Sequence, residues 1–101
     1  MTQQIKIIYM ESAEKDLLEI FNYISLDNPD ASLSILAKFE QAISNLAIFP
    51  LIGVIPSDSR LQTLQYRILI IDNYLVFYVF KNHIIEIRRI LHGRRKFDFL
   101  L

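Results

Sequence analysis

Arginine is the residue type whose number and position most suggest chemistry in this chain of 101 residues. All six arginines lie between Arg60 and Arg95. Residues 1–59 contain three basic and eight acidic side chains, whereas residues 60–101 contain eight basic and three acidic ones, so the formal charge changes from −5 to +5. The planar guanidinium suits phosphate and carboxylate partners. The charge division therefore favours a polyanionic or acidic partner, unless folding simply intermixes the two halves.

Individual basic residues allow both functional and structural interpretations. Arg67 and Arg89 each interrupt an apolar run, so they either face a polar groove or pair with an acid such as Glu86 or one from the first helix. The cluster Arg94-Arg95-Lys96 follows Gly93, which permits close backbone approach, and suits a phosphate or an acidic protein segment. His92 can titrate near neutrality, or it simply closes a strand.

Several kinds of site are excluded by composition and motif. The chain has no cysteine, which removes disulfides, iron–sulfur clusters, thiolate zinc sites and cysteine nucleophiles, and which suits a reducing cytoplasm. Its two histidines have no partner at ligand-like helical spacing, and no G-x-S-x-G elbow, P-loop or dinucleotide fingerprint occurs. We therefore expect no metal and no cofactor. Prolines and a glycine interrupt the longest uncharged run, so we expect no membrane span.

The first half of the chain predicts a strand and a helical hairpin that must support this basic half. Residues 5–10 have the β-branched and aromatic composition of a strand. Ser12 is the expected N-cap of a helix whose apolar residues recur at helical spacing to Ile24. Asn28 is expected to cap a second helix with Pro29 at its first position, and this helix ends before Pro50.

The second half predicts three strands after a long connection. Residues 50–64 are rich in turn formers and are expected to be irregular, a length often associated with function. Strands are expected over 66–71, 74–81 and 84–91, joined by two-residue breaks. Alternation in the last strand places Ile85, Ile87, Arg89 and Leu91 on one face and Ile84, Glu86, Arg88, Ile90 and His92 on the other. The order β-α-α-β-β-β predicts one α+β domain over 1–101, with the helical hairpin packed on an antiparallel sheet.

Four phrases of the sequence together resemble the RelE/ParE superfamily of bacterial type II toxins. They are "SAEKDLLEIFNYISLDNPDAS", "NLAIFP", "YRILIIDNYLVFYVF" and "IIEIRRILHGRRKF", in the right order over residues 8–101. The resemblance implies a small cytoplasmic toxin that is neutralised by the flexible segment of a cognate antitoxin. Such segments are often acidic, which agrees with the basic second half.

The branches of this superfamily differ in target. RelE-like members cut ribosome-bound mRNA without metal, and ParE-like members poison DNA gyrase through protein contact. RelE-like chains carry an arginine after the tyrosine that opens the middle strand and a catalytic tyrosine near the end. Here Leu75 follows Tyr74, and the tail offers Phe97, Phe99 and Leu101 instead. The phrase "ILHGRR" is more typical of ParE-like chains, so gyrase poisoning is the favoured function.

The resemblance also assigns expected roles to residues. His92 and Arg95 would be catalytic only if the chain is an mRNA endonuclease, which is the first alternative. A third possibility is a non-toxic homologue that only binds its antitoxin. The residues expected to bind the target are Arg60, Arg67, Arg88, Arg89, Arg94 and Lys96. The residues expected to bind the antitoxin are Phe97, Phe99, Leu100 and Leu101.

Overall fold

The computed structural model describes residues 4–93 and residue 101, and it contains the predicted succession of elements. The strands are β1 (Lys6–Tyr9), β2 (Tyr66–Ile71), β3 (Tyr74–Lys81) and β4 (Ile84–His92), and the α-helices are α1 (Glu11–Asp27), α2 (Pro29–Ser44) and α3 (Ser59–Thr63). A 3₁₀ turn at Asn45–Ala47 follows α2. None of the helices in the described part of the chain is long and apolar enough to cross a membrane.

The four strands form one sheet in the order β1-β4-β3-β2. The strands β2, β3 and β4 are the predicted antiparallel meander, with two-residue turns between them. The strand β1 adds to β4 in parallel, from Lys6 opposite Ile84 to Tyr9 opposite Ile87, so the complete sheet is mixed. Parallel neighbours need a long connection between them, and the helical hairpin with the following chain supplies it.

The helical hairpin begins two residues earlier than expected, and its second helix has the predicted start. Asn28 caps α2, because its Oδ1 accepts a hydrogen bond from the Ala31 backbone N–H at 3.1 Å, and Pro29 opens the helix. The predicted cap at Ser12 is wrong. Met10 occupies the N-cap position of α1, and its side chain makes no capping hydrogen bond. Its backbone N–H donates to the Ile87 carbonyl of β4, so the helix starts directly after β1.

Two apolar clusters lie on opposite faces of the sheet. The first cluster joins the helical hairpin to the sheet through buried residues of both: Ala13, Phe39, Ile43, Leu46, Ile71, Val76, Tyr78, Ile85, Ile87 and Ile90. The second cluster lies on the other face and is formed by Leu61 of α3 together with Tyr66, Ile68, Phe77, Val79 and Leu91. We refer to these as the helix face and the second face of the sheet.

A β-bulge in β4 changes which side chains share a face. Tyr78 of β3 lies opposite Ile87, but Phe77 lies opposite Arg89, so Arg88 is an extra residue. The predicted alternation is therefore wrong beyond this point. Ile90 joins the helix face with Ile85 and Ile87, whereas Leu91 belongs to the second face.

The connection between α2 and β2 is more ordered than expected. It contains α3, which Asp58 caps by accepting the Leu61 backbone N–H at 3.0 Å. It also contains an isolated antiparallel bridge between Val54 and Ile68, with both N–H···O distances 2.8 Å. Apart from this bridge, residues 48–58 have no regular structure, and the bridge at Val54 holds them alongside β2.

Candidate protein-binding surface

Arg88 lies at the bulge of β4, on the second face of the sheet. Its guanidinium carbon is 5.5 Å from the centroid of the Tyr66 ring, and its Nη2 donates to Glu86 Oε1 at 2.7 Å. Partial burial lowers the pKa of Arg88, but the hydrogen bonds, that to Glu86 first, outweigh it and raise the pKa above the ordinary value. Both partners of this ion pair remain accessible to solvent. The second face thus presents a half-exposed guanidinium that lies over Tyr66 and already pairs with Glu86.

Arg89 is bound to a carboxylate of α1. Its Nε and Nη2 donate to the two oxygens of Asp16 at 2.7 and 2.8 Å. The Asp16 side chain, which is only 7% exposed, also accepts the backbone N–H of Ile90 at 2.9 Å. The hydrogen bond to Asp16 raises the pKa of Arg89. This bidentate pair joins α1 to β4 where β1 has ended, which is the structural alternative that the sequence left open.

Arg67 forms its hydrogen bonds with the backbone of a loop and not with an acidic side chain. Its Nη1 donates to the carbonyls of Leu51 and Gly53, both at 3.0 Å. The hydroxyl of Tyr78 reinforces the same loop, because it donates to the Pro50 carbonyl at 2.8 Å and accepts the Gly53 N–H at 2.9 Å. Burial raises the pKa of Tyr78. These two side chains fix the backbone of residues 50–53.

The end of the chain returns to the second face. Leu101 packs against the second cluster, and its carbonyl accepts a hydrogen bond from Arg60 Nη1 at 2.7 Å. Gly93 at the end of β4 donates to the Asn73 carbonyl at 2.8 Å. The remaining predicted site residues of this segment, Arg94, Arg95, Lys96, Phe97, Phe99 and Leu100, lie outside the described residues. Leu101 is therefore the one residue of the expected antitoxin-binding set that the structure describes.

His92 lies on the helix face, away from Arg88. It pairs with Tyr74, and the two rings meet edge to face with centroids 5.4 Å apart. Tyr74 in turn packs against Phe39 of α2. Because the bulge shifts the alternation between Arg88 and His92, the two side chains that the sequence placed on one face are on opposite faces.

The structure therefore distributes the four described arginines over separate contacts. Arg60 and Arg88 are on the second face, Arg89 is at the edge of β4, and Arg67 is within the loop. In the described part of the chain, no group of three histidine, aspartate or glutamate side chains could hold a metal ion. On the second face the arrangement presents two cations, Arg60 and the half-exposed Arg88, beside an apolar cluster that is itself buried. Accessible polar groups of this kind form the rim of protein-binding surfaces.

For Arg89, sequence reasoning left open an acid of the first helix without naming Asp16, and it missed the loop carbonyls that Arg67 binds and the Tyr66 ring beside Arg88. Asp16 could have been found, since it falls at helical spacing between Ala13 and Ile20 on the apolar face of α1, where a carboxylate needs a partner. Tyr66 and Tyr78 carry no comparable signal. Aromatic residues in β-strands are ordinary, and the loop that Tyr78 holds is distant in sequence.

Comparison with known proteins adds a family and a fold. The family model for the ParE toxin of the parDE type II toxin–antitoxin system matches residues 7–97. The fold is similar to that in the chromosomal ParDE toxin–antitoxin system from P. aeruginosa, with a TM-score of 0.74 and 16% identity over 90% of this chain and 98% of that one. It is also similar to the fold in the toxin–antitoxin complex RelBE2 from Mycobacterium tuberculosis, with a TM-score of 0.61 and 17% identity over 89% and 99%. No curated protein matches the chain.

Proposed function

The chain belongs to the ParE toxin family of type II toxin–antitoxin systems, and we propose that it arrests bacterial growth by binding DNA gyrase. In this proposal the protein acts by contact and carries out no reaction of its own. The second face of the sheet, with Arg88 and Arg60, and the basic residues after Gly93 bind the target.

The observation that carries the proposal is the separation of His92 from Arg88. A metal-independent ribonuclease needs a proton-transfer group and a cation at the same phosphate. Here His92 packs against Tyr74 on the helix face, and Arg88 lies over Tyr66 on the second face. Arg89, the other cation of this strand, is bonded to Asp16. These contacts argue against a nuclease site that combines His92 with Arg88 or Arg89, and the remaining combination, His92 with Arg95, is addressed by the experiment below.

We propose further that a cognate antitoxin neutralises the protein by covering the second face. Phe97, Phe99, Leu100 and Leu101 would supply the apolar contacts, and the neighbouring arginines would pair with acidic side chains of the antitoxin. The packing of Leu101 on the second cluster and its bond to Arg60 support this location. Truncation after Lys96 is expected to weaken antitoxin binding or lower the melting temperature, and an unchanged affinity with an unchanged melting temperature would contradict this part.

The test of the target is incubation of the purified protein with gyrase, plasmid DNA and ATP, with linear DNA trapped on the enzyme as the measurement. We expect linear DNA to accumulate with the unmodified chain. The double substitution Arg94→Glu with Arg95→Glu should abolish both linear DNA and growth arrest while the domain remains folded and binds antitoxin. Full toxicity of this variant would refute the role of the basic segment.

A charge-matched control is Lys15→Glu with Lys38→Glu, which changes the net charge equally in α1 and α2. This variant should poison gyrase like the unmodified chain, because both lysines lie on the helices and not on the second face. If the protein arrests growth without trapping linear DNA, the proposal is wrong, and ribosome-bound mRNA becomes the target to examine, with His92 and Arg95 replaced first.

A further inference from the structure

The loop between α2 and α3 carries a run of exposed apolar side chains. Six large apolar residues lie within eight positions, and each is between 51% and 69% exposed. They are Ile48, Phe49, Leu51, Ile52, Val54 and Ile55. The antiparallel bridge between Val54 and Ile68 brings this loop alongside β2, where Ile70 is exposed as well. We refer to these six loop residues and Ile70 as the loop patch.

The backbone under the loop patch is held in place by hydrogen bonds. The N–H and the carbonyl of Val54 both pair with Ile68, at 2.8 Å. Gly53 donates its N–H to the Tyr78 hydroxyl, and its carbonyl accepts a hydrogen bond from Arg67. A partner strand cannot add to the loop here without breaking these bonds. The loop therefore offers its side chains to a partner, and it offers them already fixed in position, which lowers the entropic cost of binding.

The loop patch is large for a small protein. A large apolar residue has on the order of 200 Å² of surface, so seven residues that are each more than half exposed offer roughly 700 Å². The largest apolar patch on a typical monomer is about 300–600 Å². Apolar surface of this extent marks a place where another protein surface is bound.

We propose that the loop patch is the contact of a homodimer, in which two copies of this chain meet loop to loop about a twofold axis. Residues 41–57 contain no charged side chain, so the loop has nothing with which to select an acidic or a basic partner. An uncharged apolar surface is complementary to itself, and a twofold contact uses the same surface on both copies. Two such patches bury roughly 1,400 Å² in total, which lies within the range of about 1,200–2,000 Å² for stable interfaces. This contact does not depend on which target the protein binds.

The first test measures the mass of the full chain by sedimentation over the micromolar concentration range, where we expect a monomer–dimer equilibrium without larger species. Phe49→Gln with Ile52→Gln should raise the dissociation constant of the dimer at least tenfold, because it places polar amides in the contact. The matched control, Leu26→Gln with Leu33→Gln, replaces two exposed leucines of α1 and α2 and should change this constant less than twofold. Circular dichroism should show both variants folded, since all four side chains are more than half exposed.

A second test uses the absence of cysteine from the chain. A twofold contact brings equivalent residues of the two copies together near the axis. Under mild oxidation, Ile52→Cys should therefore form a disulfide-linked dimer at least tenfold faster than Leu26→Cys, although Leu26 is the more exposed position, at 89%. A chain that is monomeric at all concentrations, or equal rates of cross-linking at the two positions, would overturn the proposal.

Two further outcomes would assign the loop patch differently and contradict the homodimer. Aggregates of undefined mass that both glutamine variants dissolve equally would show non-specific association. A monomeric chain whose Phe49→Gln, Ile52→Gln variant traps less linear DNA than the Leu26→Gln, Leu33→Gln control would show that gyrase covers the patch. A failure of the unmodified chain to trap linear DNA concerns the target alone, because sedimentation and cross-linking are measured without gyrase.

Discussion

Arg67 and Arg89 both interrupt apolar strands, and both were expected to bind the target, but their surroundings differ. Arg89 faces a charge, the buried carboxylate of Asp16, which holds it by two hydrogen bonds and also accepts a backbone N–H. Arg67 faces the carbonyls of Leu51 and Gly53, which are dipoles of an irregular loop. One arginine is part of the packing of α1 on β4, and the other determines the course of the loop.

This difference predicts that substitutions at the two sites have different consequences, one for the stability of the whole fold and one for the loop. Removal of a carboxylate from a buried pair leaves an unpaired charge, and the cost falls on the whole fold. Loss of an arginine from backbone carbonyls leaves no such charge, and the loop is affected first. Neither arginine can form an ion pair with a target without first losing its present hydrogen bonds. Among the described arginines, Arg60 is exposed, and Arg88 beside Glu86 and Tyr66 stays partly accessible.

The largest effect is expected for Asp16→Ala. This change leaves Arg89 and the Ile90 N–H without their carboxylate, and breaking a buried pair in this way costs about 3–5 kcal/mol. Urea denaturation followed by circular dichroism measures the loss of unfolding free energy. The control is Asp27→Ala at the other end of α1, an exposed position where a change within about 0.5 kcal/mol is expected. A loss below about 1 kcal/mol for Asp16→Ala would show that the pair does not hold α1 on β4.

The loop is tested by Gly53→Ala. A Cβ at Gly53 would lie 2.7 Å from the Tyr78 hydroxyl and 3.0 Å from the Ile68 carbonyl oxygen, so the loop or the ring must move. Overpacking of this kind costs about 1–3 kcal/mol. Gly93→Ala is the matched control, because its nearest neighbour would be the Asn73 carbonyl oxygen at 3.3 Å. Equal thermal stability of the two variants would contradict the close packing of the loop on Tyr78.

Arg67→Met is expected to have a smaller global effect and a local signature. Methionine keeps an unbranched apolar stem but removes both hydrogen bonds to the loop, and the net loss is about 1–2 kcal/mol. Hydrogen exchange should report faster exchange of the Val54 and Ile68 amides, which pair with each other at the edge of the sheet. If these amides stay protected while the whole domain is destabilised, Arg67 acts on the core and not on the loop.

The contacts of these arginines also show where prediction from sequence stopped. The two long helices, the four strands and the cap at Asn28 follow from local spacing, and the structure confirms them. The short helix α3 was not predicted, because residues 50–64 were expected to be irregular. The bulge at Arg88 does not, because the sequence runs through it without glycine or proline, and one extra residue reversed the faces of Leu91 and His92. The loop contacts of Tyr78 join residues 25 and 28 apart, and no local pattern encodes such a separation.

The smallest effect is expected for the exposed counterpart of the buried pair. The Nζ atom of Lys38 in α2 lies 3.1 Å from Oδ2 of Asp72, which is in the turn between β2 and β3. The two side chains are 56% and 46% exposed. Solvent screens such a pair, so Lys38→Ala should cost less than about 1 kcal/mol, and less again at high salt. Lysine is the partner to replace, because Asp72 has a positive φ of 53° and a change there would alter the turn as well.

Urea denaturation at low and at high salt measures the loss of unfolding free energy for Lys38→Ala and for Asp16→Ala. The exposed pair should lose most of its contribution in salt and the buried pair little. If both respond alike, burial is not what separates Arg89 from the surface cations, and the assignment of Arg89 to the fold fails with it.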